Sequence, residues 1–161
     1  MNEECNRKIE DCKNELDLIK NWIDQNHFHS NVKFLVSYAV VKSSGTIELV
    51  FKQMIYDFLS DSVNKETQSY LSASIVDSSC NPNTGNISKI IGQFDGHRNE
   101  EFNSNVKGCQ EKVELNSLVQ LRNDLAHGRS NNPSINTVIR YYKSGVKILD
   151  ILYTVLYPHE I

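Results

Sequence analysis

A chain of 161 residues with 39% apolar side chains is long enough to close one hydrophobic core, burying roughly 70% of its unfolded surface, and is read as a single domain over residues 1–161. Its net charge of −3 excludes a surface coated with phosphate-binding cations, since non-specific nucleic-acid affinity comes mostly from Lys and Arg. The N-terminus is charged from its third residue and no window approaches about 18 uninterrupted apolar residues, so neither export nor membrane insertion is expected and a cytoplasmic protein is predicted.

The first predicted element is a long helix whose apolar face is Ile9, Cys12, Leu16, Ile19 and Ile23, with His27 and His29 near its end. A second helical stretch starts near Val32 with Phe34, Leu35, Tyr38 and Val41. It resumes after "SSG" as Ile47, Val50, Phe51, Met54, Ile55, Phe58 and Leu59, and Gly45 either sits inside one helix or divides two. Residues 64–77 suit a short helix, 78–86 a loop rich in Ser, Asn, Pro and Gly, and 87–94 a further short helix. Residues 95–108 hold few apolar side chains and two glycines, and read as an irregular connection. A stronger helix runs from about Gln110 to His127 on Val113, Leu115, Leu118, Leu121 and Leu125, with Gly128 placed to end it in a left-handed turn. The last helix begins near Ser134, an N-cap residue, and carries Ile135, Val138, Ile139, Tyr142, Val146, Leu149, Leu152, Val155 and Leu156. No stretch alternates as a strand does. The predicted fold is an all-α bundle of about five to seven helices with short connections.

The four cysteines, Cys5, Cys12, Cys80 and Cys109, form no C-x-x-C pair, so neither a zinc knuckle nor a thioredoxin-like motif can be read from them, and free thiols are expected. His27 with His29 suits a solvated helix end better than a metal site. His97, Arg98 and His159 read as surface residues. Tyr141, Tyr142, Phe51 and Phe58 recur at helical spacing and read as core rather than as base-stacking platforms. There is no Walker loop, G-x-S-x-G elbow or H-E-x-x-H helix. Charge is uneven: from Arg122 to Lys147 the cations Arg122, Arg129, Arg140, Lys143 and Lys147 face only Asp124, a local balance of about +4, so an anionic ligand is expected to prefer the C-terminal third.

Arg122 is the residue out of place. Three and four positions away on its own helix stand Leu118, Val119, Leu125 and Ala126, so no carboxylate there can pair with it. A buried, unpaired arginine would cost several kcal/mol, because the group stays charged. Two readings are open. Either a carboxylate on another helix, such as Glu48, meets the guanidinium and His127 merely complements the helix C-terminus, or the stripe opens onto a cleft or subunit interface where Arg122 waits for a phosphate.

The run Arg122, Asn123, Asp124, Leu125, Ala126, His127, Gly128 resembles the R-x4-H motif of the HEPN superfamily. The early "GTIELVFKQMIYDFL" helix, the polar link after the motif and the long closing helix are similar too, and the resemblance is closest to the RiboL-PSP-HEPN branch. It implies a metal-independent endoribonuclease that needs no cofactor, acts on RNA as an isologous homodimer, and serves as a toxin or antiviral-defence effector. An antitoxin or other regulatory protein is then a further partner. His127 would transfer protons, Arg122 would hold the scissile phosphate, and Asn123 would orient the imidazole or bond the phosphate. Asp124 suits a solvated or capping role, and Arg129, Ser130 and Asn131 are candidates for contact with the RNA backbone. Some HEPN toxins carry a tyrosine two positions after the histidine as a modification site; Arg129 stands there in this chain. The alternative is a HEPN module that binds RNA, nucleotide or a protein partner without cutting.

Overall fold

A computed structural model describes residues 1–129 and 131–158. Ser130 and His159 therefore lie outside the described residues. The described chain is helical with no strand. Its order is α1 Glu3–Gln25, α2 Val32–Ser60, α3 Lys65–Leu71, α4 Thr84–Phe94, α5 Gly96–Asn105, α6 Gln110–Ala126 and α7 Ile135–Leu156. The end of α3 widens into a π turn over Ser72–Val76.

Side-chain caps explain where most helices begin. Asn2, Asn64, Asn83, Asp95, Cys109 and Ser134 each accept the backbone N–H three residues on, satisfying a donor that has no intrahelical acceptor. α7 is the central post, packed on α6, α2 and α1. Its Tyr142 is buried and donates its hydroxyl to the Ile9 carbonyl at 2.7 Å, tying the last helix to the first. Burial also pushes this phenol far above the usual tyrosine range. At Gly145 a Cβ would come within 3.0 Å of Ile47 and 3.3 Å of Leu115. Glycine there lets α2, α6 and α7 meet closely.

The face predicted for α1 is the buried one, with Ile9 only partly covered and Cys5 added. α2 is one unbroken helix through Gly45, and its first half departs from expectation. Phe34, Tyr38 and Val41 are 63%, 45% and 51% exposed, while Val36, Ala39, Val40, Ser43 and Ser44 are buried. Small side chains let neighbouring helices approach, so the larger apolar residues are left facing out. Val113 of α6 is exposed as well. Residues 95–108 are not an irregular connection, because α5 occupies most of them. Asp95 closes α4 and caps α5 by accepting from the Arg98 N–H at 3.0 Å, and Phe102 and Val106 alone anchor the segment in the core. α2 is the one described helix long and apolar enough to cross a membrane, and half of its most apolar window is buried inside the bundle.

Candidate functional site

The apolar stripe of α6 is fully buried only as far as Leu118 and Val119. Leu121 and Leu125 are partly covered and Ala126 is exposed. Arg122 thus sits where the stripe leaves the core. Half-buried, it costs less to keep charged than the sequence position suggested. No carboxylate pairs with it among the described residues. Its Nη1 donates to the Asn81 amide oxygen at 3.2 Å and, at 3.4 Å, to that of Asn123. Neutral amides orient the guanidinium without cancelling its charge, which leaves it able to grip a phosphate.

Glu48 is not the partner of Arg122. Its carboxylate pairs at 2.7 Å with Lys52, a buried lysine that also donates to the Ser78 carbonyl, and accepts the Cys80 N–H at 3.1 Å. This clamp ties the 78–81 loop to α2. It therefore positions Asn81, the residue that in turn holds Arg122. Cys80 is partly buried beside the clamp, and burial pushes its thiol above the usual range, so it stays neutral.

The C-terminus of α6 presents His127. Arg129 N–H bonds the Asp124 carbonyl at 2.8 Å and Gly128 N–H bonds that of Leu125 at 3.1 Å, the crossed pair of a Schellman turn, with Gly128 at φ +70°. His127 is the cap residue. Its backbone is fixed by N–H bonds to the Asn123 and Asp124 carbonyls, at 3.1 and 3.2 Å, while its imidazole is exposed and has no partner among the described residues. Asn123 faces Arg122 and makes no hydrogen bond to the imidazole.

Asp124 is not solvated, and its side chain bonds other side chains rather than capping the helix backbone. It is only 8% exposed and gathers the turn, accepting from Gln120 at 2.9 Å, Arg129 at 3.3 Å and Asn131 at 2.6 Å. Arg129 and Asn131 therefore fold back onto Asp124. The Arg129 side chain nevertheless remains largely exposed. The excess positive charge read in the C-terminal third is partly offset as well. Arg140 pairs with Glu114 at 3.1 Å and Lys147 with Glu111 at 2.9 Å, across the α6–α7 contact.

Local sequence signals identify Arg122, Asp124, His127 and the turn that carries them. They miss Asn81, 41 residues upstream in a loop defined only by its composition. Its role exists only once the loop is folded against α6.

A family model described as RiboL-PSP-HEPN matches residues 3–157. No curated protein and no solved structure gives a match.

Proposed function

The chain belongs to the RiboL-PSP-HEPN family, and from that premise we propose that it is a metal-independent endoribonuclease acting as a homodimer. The observation that carries this reading is the state of the two motif side chains. Among the described residues Arg122 is oriented by amides with no carboxylate to quench it, and His127 is exposed and unpartnered on a hydrogen-bonded turn. A pair kept only for folding would be expected to satisfy both groups internally.

RNA supplies its own nucleophile. His127 of one copy takes the proton of a 2′-hydroxyl, whose oxygen attacks the adjacent phosphorus. The O2′–P bond forms, the bond from phosphorus to the 5′-oxygen breaks, and a protonated histidine gives the leaving oxygen its proton. The ends are a 2′,3′-cyclic phosphate and a 5′-hydroxyl. Arg122 stabilises the charge that builds on the phosphoryl oxygens. One imidazole cannot be base and acid in the same event, and Arg122 and His127 stand about 7.5 Å apart along one helix axis. Two motifs facing each other across a two-fold axis supply both groups around one phosphate. The biological setting proposed for this activity is that of a toxin or defence effector under the control of a regulatory protein.

The test is cleavage of end-labelled RNA in EDTA. Wild type is expected to cut RNA but not DNA, leaving cyclic phosphate ends. His127→Ala and Arg122→Ala are each expected to lose at least about 100-fold in rate, the scale of a general acid–base or charge-stabilising group. Arg122→Lys keeps the charge, loses the fork, and is expected to retain RNA binding better than cleavage. Uncut RNA held in a salt-sensitive complex by a folded dimer would instead establish a binding module.

A further inference from the structure

Between α4 and the Arg122 end of α6 lies an open cleft of about 450 Å³, lined by Ser78, Asn81, Asn86, Lys89 and Gln93 with Arg122 at its edge. That is within the range of about 300–1,000 Å³ typical of small-ligand sites. Although the chain carries more carboxylates than cations, no carboxylate among the described residues lines this cleft. Lys89 is exposed and has no ion-pair partner among the described residues, whereas Arg129, Arg140 and Lys147 all have one.

The wall is built rather than incidental. Buried Lys52 and its partner Glu48 hold the Ser78 carbonyl and the Cys80 N–H from the α2 side. From the other side Asn116 of α6 accepts the Thr84 N–H at 3.1 Å, and Asn86 donates to the Asn81 carbonyl at 3.0 Å. A loop tied to two helices presents its amides and hydroxyls in fixed positions. Little ordering entropy then remains to be lost when a ligand enters. No aromatic ring among the described residues lines the cleft to serve as a platform for stacking a base. Cations among neutral hydrogen-bonding groups suit a ribose–phosphate chain.

We infer that this cleft is a subsite for the single-stranded RNA backbone beside the scissile phosphate, in which Lys89 neutralises a second phosphate and the amides of Asn86 and Gln93 bond sugar or phosphate oxygens. The inference rests on the ribonuclease reading of the Arg122 site. Such a subsite adds affinity without choosing a base.

The experiment is fluorescence anisotropy with short labelled single-stranded RNAs of several sequences, titrated over a range of salt with His127→Ala, which leaves the strand uncut, and with His127→Ala/Lys89→Gln. Lys89 is exposed and unpaired among the described residues, so thermal unfolding of the two proteins should coincide. The expected result is severalfold weaker binding on loss of Lys89, similar for all sequences, with the slope of log K against log salt shallower by about 0.7, the value for one phosphate contact on a single strand. Lys89→Arg should restore both. Unchanged affinity and slope would overturn the subsite, as would a wild type that binds no RNA. Cleavage by the unmutated protein, measured in parallel, separates the two claims: cut RNA with a Lys89-independent slope removes the subsite alone. A Lys89-dependent slope with no cutting removes the nuclease, and with it the scissile phosphate, and leaves the cleft as an RNA-backbone binding site only.

Discussion

Asp124 shows how one side chain serves the residues around it. Flanked by Arg122 and His127, it turns inward, and its carboxylate and carbonyl together hold Gln120, Arg129 and Asn131 in a single turn. Removing it leaves those donors unsatisfied around a nearly buried gap. Asp124→Ala is expected to lower unfolding free energy by about 1–3 kcal/mol in denaturant titration and to raise amide exchange over residues 127–133. Equal exchange in the two proteins would show that the turn is held by its backbone alone. Asp124 was legible as a polar residue near a helix end. Its burial was not, because burial depends on the return of Asn131 and the loop over it.

Helix packing is decided by small residues, and the glycines of α2 and α7 make the point in opposite directions. Gly45 lies within α2 with nothing inside 4 Å of an added Cβ, so Gly45→Ala is expected to stabilise by about 0.5–1 kcal/mol through helix propensity. Gly145→Ala must push Ile47 and Leu115 aside and is expected to cost about 1–3 kcal/mol. Thermal melts of the two variants, moving in opposite senses, check both. A hydrophobicity pattern weighs every apolar side chain alike and so assigns Phe34, Tyr38 and Val41 to the core. The packed helix instead selects the Ala and Ser face that allows close approach. α5 escaped the pattern for the converse reason. With Phe102 its sole buried side chain, it shows no periodicity, and only the Asp95 cap marks its start.

Over the whole molecule, charges are paired both within helices, as Lys8 with Glu4 and Lys52 with Glu48, and between them, as Lys42 with Glu15 and Lys147 with Glu111, rather than accumulated in one region. Lys42 and the Tyr38 hydroxyl hold Glu15 below the usual carboxylate range, the Arg98 N–H does so for Asp95, and Lys147 for Glu111. A carboxylate whose folded pKa is depressed contributes stability above its unfolded value, near pH 4, and loses it as pH falls through the folded value. The melting temperature is therefore expected to fall as pH drops below about 4, and Glu15→Gln to make that decline shallower. These pairs are exposed, so each effect is small. A decline unchanged in Glu15→Gln would assign it to the other carboxylates. Lys42 and Lys147 are raised by the same pairs, so that contribution is present below their ordinary value and lost only as pH rises through the raised one.

By itself the sequence determined the all-α class, the faces of α1 and α7, the left-handed stop at Gly128 and the Arg122–His127 motif. Each depends on residues within a few turns of one another: periodicity, caps and a conformation open to glycine. The tertiary structure alone decided that Glu48 pairs with Lys52 instead of Arg122, that Asn81 holds the guanidinium, and that Arg140 and Lys147 of α7 pair with carboxylates of α6. It also brought Lys89 to the cleft beside Arg122. Those outcomes join segments far apart in the chain, and which polar groups meet is settled only when packed helices leave each a limited set of partners.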